Sequence, residues 1–571
     1  MCGDEESFMR NRIDVDLERG TIQKSDLPEE TLWLGGRALA DTILFREVPP
    51  SCHPLGPRNR LVFSPGLFAG TGLPTAGRMS VAGKSPLTGG IKESNVGGMA
   101  GIILAQMGIG ALVISGASRI APRKVVLLGE RSAQVTDMPE LSHRGNYETV
   151  EILTRHFGDG VVIISIGPCG EMNMAAATVA VTDTNGRPCR HAGRGGLGAV
   201  MGSRGLKAIV IDPSGTRLRQ SVDPVAFAEA LKEYTSLLQS SKRVALWREN
   251  GTAALVDVSH ARGSLPTRNF SSGAYEKKDH VNADRLKGLV TERGGTMGHA
   301  CMRGCMVRCS NIFNDSEGRY LTSGLEYETI AMLGPNLDID NLDTIARIDF
   351  RCDDYGLDTI EIGATLGVLT ETKLFRFGDG DRAIQLIDEI GKGTVLGRVL
   401  GQGVTTTGKV FGITRIPAVK GQSLAAHEAR AIKGLGVTYA TSPQGADHTA
   451  GFVSEEPLSP EGHTERSRDA QINILIADSL GLCQFTGLRS EYGLFARLMG
   501  ALTGKAPGKK EVWRIGQEAL RKERAFNLAA GIGPGQDRLP EFLRSEPLPP
   551  NQSVFDVEDE DLDRVFGEYP E

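Results

Sequence analysis

Four cysteines dictate which distant parts of this 571-residue chain must meet. Cys301, Cys305 and Cys309 fall within HACMRGCMVRCSN, and Cys483 lies far downstream in ADSLGLCQF. Three thiolates on one loop with a remote fourth is the arrangement that encloses a 4Fe–4S cube, one Cys to each iron corner. Structural zinc draws its ligands as short pairs such as C-x2–4-C. Taken alone, the three local cysteines leave a cluster, zinc and a reduced thiol patch open. Cys483 favours the cluster, because it closes a hexapeptide that occurs twice. Asp478-Ser479-Leu480-Gly481-Leu482-Cys483 has a near-copy in Asp353-Asp354-Tyr355-Gly356-Leu357-Asp358.

Each copy follows apolar residues at helical spacing, Leu342, Ile345 and Ile348 before one, Ile472, Leu475 and Ile476 before the other. Gly356 and Gly481 supply the left-handed residue that ends a helix. Asp358-Thr359-Ile360-Glu361 has the form of a capping box that starts the next. Two matching helix junctions predict two equivalent half-sites facing one another. Upstream, short apolar runs bounded by glycine, Val125–Leu128, Val161–Ile166 and Ala208–Ile211, predict buried strands. The fold class expected is α+β. A β-rich N-terminal domain (1–212) precedes two mainly helical domains, 213–415 with the three local cysteines and 416–571 with the second hexapeptide. The acidic stretch Phe555–Glu571 is expected to pack weakly.

Composition excludes some functions. A net charge of −6 spread over this length argues against a nucleic-acid binder. The first twenty residues lack the apolar stretch of a signal peptide, and no run of roughly 20 apolar residues could span a membrane, so a cytoplasmic protein is expected. Nine cysteines in such a chain suit metal ligation better than disulfides. Those left over, Cys2, Cys52, Cys169, Cys189 and Cys352, are expected mostly as buried small hydrophobes.

Two glycine-rich stretches offer the backbone N–H groups and cations that phosphate groups require. One runs from Gly72 to Arg78 (GLPTAGR), on through KSPLTGG at Lys84 and NVGG at Asn95; the other is RHAGRGGLGAVMG from Arg190. The glycine spacing of the second is by itself weak support for a dinucleotide site. Together with the paired D-x-x-G-L-C/D hexapeptides, these stretches resemble the aldehyde:ferredoxin oxidoreductase family of tungsten and molybdenum enzymes. Five separate motifs fall in family order over nearly the whole chain.

The resemblance implies two pyranopterins holding tungsten or molybdenum, a 4Fe–4S cluster on Cys301, Cys305, Cys309 and Cys483, and a Mg2+ joining the pterin phosphates. A pterin ring edge needs carboxylates to accept from its nitrogens. Asp353 and Asp478 suit this, one per pterin, with neighbouring backbone at Gly356, Leu357 and Asp358 and at Gly481 and Leu482. The resemblance further implies that Arg78 bridges pterin and cluster and that Asn95 and Ala192 offer carbonyls to Mg2+. Gly97, Arg190, Gly193 and Arg194 fall within the phosphate-binding stretches.

Candidates for proton chemistry come from two similar stretches. Gly324-Leu325-Glu326-Tyr327-Glu328-Thr329 is similar to the family's P-E-Y-E-T, and Tyr439-Ala440-Thr441-Ser442-Pro443-Gln444-Gly445-Ala446-Asp447-His448 to its Y-A-T-S-x-R-G-x-x-H. Oxidising an aldehyde to an acid requires attack by water, removal of a hydride equivalent and loss of a proton. A carboxylate with its pKa raised by burial, and His448 as donor to the carbonyl oxygen, suit those steps. Glu326 and Glu328 lie two apart, so on a helix only one is expected to face the site. Leu325 and Gln444 replace the family's Pro and Arg near the expected substrate channel, and the first cysteine gap is three residues instead of two; the chain reads as a divergent branch.

The function expected is oxidation of an aldehyde to a carboxylic acid, or the reverse, with electrons leaving through the cluster to ferredoxin or a ferredoxin-like iron–sulfur subunit. The same cofactors suit a low-potential reductase subunit of the aryl-CoA type in a multi-subunit complex. A non-catalytic electron carrier would have no use for two pterin sites. A homodimer is compatible with each of these.

Overall fold

The computed structural model describes residues 8, 10–116, 123–130 and 132–567; Cys2 lies outside them. The N-terminal region builds two six-stranded sheets. The first holds β1 (Asn11–Asp16), β2 (Thr21–Asp26), β3 (Leu61–Pro65), β4 (Met79–Lys84), β5 (Ile91–Val96) and β6 (Ile109–Ser115) in the order β2-β1-β6-β3-β4-β5. The second holds β7 (Lys124–Leu128), β8 (Ala133–Asp137), β9 (Val162–Ser165), β10 (Val179–Val181), β11 (Arg190–Ala192) and β12 (Leu206–Ile211) in the order β11-β10-β9-β12-β7-β8. Strands β3, β9 and β12 are buried on both faces and so read as mostly apolar rather than alternating. The exposed edge strand β2 carries Gln, Lys, Ser and Asp, which blunts it against pairing with another chain. Helices Ala100–Gln106 and Leu197–Ser203 contact strands of both sheets.

This arrangement sets edge against edge. Strand β5 ends the order of one sheet, β11 begins that of the other, and the two are in contact. Arg194 N donates to Ser94 Oγ across the seam at 3.3 Å. The two glycine-rich stretches therefore arrive side by side although about 100 residues of chain separate them.

Beyond residue 213 the chain is mainly helical. A small antiparallel sheet, Thr296–His299, Ser310–Asn314 and Tyr320–Ser323, carries the three-cysteine loop between its first two strands. The cores do not follow chain order. One unites both large sheets with helices Pro224–Ser240, Thr464–Leu480, Tyr492–Thr503 and Lys509–Ala529. A second gathers Tyr327–Leu333, Leu342–Tyr355, Thr359–Leu369, Gly380–Lys392 and Lys433–Thr441. Among the described residues, no helix is long and apolar enough to cross a membrane. Cys52, Cys169, Cys189 and Cys352 are buried.

Two local expectations fail for physical reasons. Asp358 does cap its helix, accepting from Ile360 N at 2.9 Å, but Glu361 does not complete a capping box. Its carboxylate instead accepts from Val404 N and Ser423 N, both at 2.9 Å, and so clamps two other segments. The acidic C-terminal stretch also packs firmly within its described part. Phe555, Val557, Leu562 and Val565 enter the second core, while Asp559 and Glu560 face solvent.

Candidate functional site

The two hexapeptides dock on the two sheets in parallel fashion. Helix Leu342–Tyr355 ends at Gly356 (φ 72°) and helix Thr464–Leu480 at Gly481 (φ 79°), both in the left-handed turn that only glycine adopts cheaply. The first copy lies on the second sheet: Thr178 N donates to Gly356 O at 2.9 Å and Asp358 N to Ala176 O at 3.0 Å. The second copy lies on the first sheet: Leu67 N donates to Ser479 O at 3.0 Å and Arg78 N to Gly481 O at 3.2 Å. The approach is backbone on backbone. A Cβ on Gly66 would sit 2.1 Å from Gly481 Cα.

Each copy presents a buried carboxylate with one oxygen held and one left without a hydrogen-bond partner. Asp353 Oδ1 lies 3.1 Å from His191 Nε2, and its Oδ2 is unpartnered. Asp478 Oδ2 lies 3.4 Å from Arg37 Nη1, and its Oδ1 is unpartnered. Burial, with Glu93 nearby, pushes Asp478 up to about 8, against the pull of Arg37 and Arg78.

The four cysteines converge from two segments, and Thr75, on a third, fastens them. Its backbone N donates to Gly304 O at 3.0 Å, its O accepts from Cys483 N at 3.1 Å, and its Oγ1 accepts from Met306 N at 2.9 Å. Thr75 does this in the left-handed region (φ 61°), an uncommon and costly place for a β-branched residue. Arg78 faces Cys301 and Cys483 and hydrogen-bonds through its guanidinium to the side chain of Asn95 and, at 3.0 Å, to Asn95 O. A hydrogen bond with Cys305, together with Arg190 and Arg78, lowers the Cys301 thiol to about 6 against the effect of burial. Gly97 makes room here: a Cβ on it would lie 3.3 Å from Cys301 Sγ.

All four cysteines line one cavity of about 950 Å3. The same wall includes Arg78, Asn95, Gly97, Arg190, Gly193, Arg194, Asp353, Leu357, Asp358, Glu326, Glu328 and His448. Ala192, Gly356, Asp478, Gly481 and Leu482 do not line it. Arg194 is the buried cation that binds the wall together, with Asp358 Oδ2 at 3.3 Å, Ala446 O at 2.7 Å and Ser423 O at 2.8 Å.

The acid–base candidates differ from the sequence expectation in two respects. Glu326 is the extended N-cap (ψ 163°) of helix Tyr327–Leu333 and not a helical residue, so Glu326 and Glu328 both reach the cavity. Glu326 turns toward the cysteines, 3.6 Å from Arg190 Nη1, with Oε2 accepting from Thr252 Oγ1 at 3.0 Å. Glu328 turns toward two histidines: its Oε1 lies 3.2 Å from His427 Nε2 and 3.4 Å from His448 Nε2. Its Oε2 accepts from Ala426 N at 2.7 Å. Burial alone would raise Glu328, but His448, His427 and the Ala426 N–H together hold it down to about 2, opposite to the raised carboxylate expected. Burial lowers His448 below its ordinary value, partly opposed by Glu328 and Asp447.

His427 has no counterpart in the sequence reading; its only signal there was a histidine among small residues in SLAAHEAR. It packs its ring 5.0 Å from those of Tyr327 and Phe452. Asp447 is a second unforeseen member, held by Lys92 Nζ at 2.6 Å beside His448. Leu325 and Gln444 do not line the cavity. Leu325 sits in the second core, and Gln444 Oε1 accepts from Glu93 N at 2.8 Å.

This donor set fits a large, polar, metal-bearing group. Among the described residues no three His, Cys, Asp or Glu side chains converge on one point as the ligands of a single ion must. Four thiols lining one cavity beside Arg78 and Arg190 suit the corners of a cluster instead. Unpartnered buried atoms on Asp353, Asp478, Arg190 Nε and His448 Nδ1 are the groups that a heterocycle and its phosphates would satisfy.

Comparison with known proteins agrees with this chemistry. The aldehyde ferredoxin oxidoreductase N-terminal domain matches residues 12–213, and domains 2 and 3 of the same family match residues 229–569. The chain belongs to the aldehyde ferredoxin oxidoreductase family, and is an oxidoreductase of that family. It is 32% identical to the tungsten-containing aldehyde ferredoxin oxidoreductase of Pyrococcus horikoshii, over 94% of this chain and 91% of the relative. It is 31% identical to that of Thermococcus kodakarensis, over 96% and 93%. The WOR-like subunit of an aliphatic sulfonate oxidoreductase from Pyrococcus furiosus is 27% identical over 83% of this chain and 78% of its own. Among solved structures, the active-site complex BamBC of benzoyl coenzyme A reductase shares the fold, with a TM-score of 0.81 over 97% of this chain and 92% of that one at 18% identity.

Proposed function

We propose that this chain oxidises an aldehyde to the carboxylic acid, or runs the reverse, at a bis-pyranopterin tungsten or molybdenum centre. Electrons then leave singly through a 4Fe–4S cluster to ferredoxin or a ferredoxin-like iron–sulfur subunit. One observation carries the reading: a single cavity joins four cysteines, the first hexapeptide, the Cys483 end of the second and the Glu328–His427–His448 group. Relatives named for tungsten and aldehydes over nearly the whole chain support it.

In this reading Cys301, Cys305, Cys309 and Cys483 hold the cluster. Asp353 and Asp478 would accept from the two pterin rings, and Arg78 would contact both cluster and pterin. Asn95 and Ala192, on the facing edges of the two sheets, would hold the Mg2+, with Gly97, Arg190, Gly193 and Arg194 around them. The bound centre supplies the two-electron acceptor. The chain supplies positioning and proton traffic. Glu328, ionised, takes a proton from the attacking water. His448 donates to the carbonyl oxygen, and His427 and His448 carry away the protons released. Phe452, Val258 and Leu255 line the apolar approach.

Viologen-linked turnover of anaerobically purified protein over aliphatic and aromatic aldehydes tests this. Turnover with at least one of them is expected; metal-replete protein that oxidises none contradicts it. The aryl-CoA reductase reading has one observation in its favour. Arg262 lines the cavity beside Val258 and Leu255 with no ion-pair partner among the described residues, which suits the phosphates of a coenzyme A thioester.

A further inference from the structure

We propose that Asp41 is a positioning residue for the second half-site: it holds a proton against Glu523 and, through Arg37, sets how much positive charge reaches Asp478. The inference rests on the half-site reading above and adds a proton-binding group outside the cavity. Five ionisable side chains from four elements gather behind the second hexapeptide. Arg37 and Asp41 stand one turn apart on helix Gly36–Glu47, Glu93 on β5, Asp478 on helix Thr464–Leu480 and Glu523 on helix Lys509–Ala529.

Each of the five is at most 5% exposed, so four carboxyl groups surround Arg37 away from water, with Arg78 and Lys92 at the margin. The guanidinium is already committed. Its Nε and Nη2 donate to Glu523 at 2.7 and 3.0 Å, and its Nη1 to Asp478 Oδ2 at 3.4 Å.

Asp41 is left over. Among the described residues neither of its carboxyl oxygens finds a donor, although both are buried, and the group lies within hydrogen-bond reach of Glu523. Two ionised carboxylates in such contact repel, and Arg37 relieves only Glu523. A proton resolves the conflict: the Asp41 O–H donates to Glu523, which Arg37 holds from its other side. Burial and the neighbouring Glu523 and Glu93 push Asp41 well above the usual carboxylate range, against the pull of Arg37.

The proton can be exchanged without entering the substrate's space. Lys522, half-buried beside Glu523, donates from Nζ to Thr42 Oγ1 at 2.9 Å and lies within charge–charge reach of Asp41, with the exposed Glu518 and Arg46 nearby. Its ammonium gives a proton to Asp41 and regains one from solvent, and neither residue lines the cavity. Arg37 couples this site to the half-site, and such coupling is reciprocal. A proton on Asp41 removes one negative charge from the group, so more of the Arg37 field meets Asp478 and any negative charge beside it. The reduced state of a centre bound there is therefore favoured when Asp41 is protonated.

The test uses the metal-replete enzyme, by infrared difference spectroscopy and by EPR-monitored redox titration, neither of which needs substrate. Asp41→Asn, the neutral isostere, should remove one protonated-carboxyl band from the wild-type infrared spectrum. The midpoint potential of the metal centre should become more negative as pH rises in the wild type, and Asp41→Asn should at least halve that shift. Lys522→Gln removes the cation beside Asp41, so it should move the bend of the potential–pH curve to higher pH, and it decides alone where Asp41→Asn fails to fold. An unchanged carboxyl region or an equal pH shift in Asp41→Asn, or an unmoved bend in Lys522→Gln, would each overturn the proposal. Pterin and tungsten contents of the same preparations report separately on the half-site reading, and the infrared band is read whether or not they are present.

Discussion

At the scale of single residues the account turns on Glu328. It sits between two histidines and a backbone N–H, whereas Glu326 sits beside Arg190 and the cysteines. Glu328→Gln should therefore lower kcat by about 10²–10⁴-fold, with His448→Ala similar and iron and tungsten contents unchanged. Glu326→Gln should cost far less in turnover; equal losses at both positions would contradict the division of roles. The pH profile adds a sign. A carboxylate held down to about 2 is charged above that value and loses its charge only as pH falls through it. Any acid limb of kcat/KM near neutral pH would then come from another group, so Glu328→Gln should lower the plateau without moving it.

At the scale of elements, the half-sites are two helix ends pressed on two sheets. Asp353→Ala and Asp478→Ala should each weaken pterin retention, since a hydrogen bond to a buried carboxyl group is worth about 0.5–3 kcal/mol, depending on its charge. Pterin released on anaerobic gel filtration measures this, and full retention in both variants would contradict the half-site reading. Thr75 offers a finer test. Thr75→Ala removes the hydroxyl that binds Met306 N and should lower iron per chain, while Thr75→Ser should restore it. Unchanged iron in Thr75→Ala would show that the fastening is dispensable. The helix ends were legible in sequence because glycine at a fixed offset has a local cause, the left-handed turn. Glu361 was misread because its partners, Val404 and Ser423, lie 43 and 62 residues away, and no local pattern reports such contacts. The same holds for His427, which reaches Glu328 only through tertiary packing.

At the scale of the molecule, two sheets meet at β5 and β11, and the cores exchange elements from distant parts of the chain. The β-rich start and helical remainder were readable from run length and spacing. The interleaving was not, because it depends on which apolar faces find one another after folding. Its consequence is one cavity bounded by residues from Arg78 to Arg489. Metal and pterin quantitation on anaerobically purified protein tests that cavity's proposed contents most directly. The account predicts about four iron atoms, one tungsten or molybdenum and about two pyranopterins per chain. A preparation active in aldehyde oxidation that carries one pyranopterin or none, or less than about one iron per chain, would contradict it.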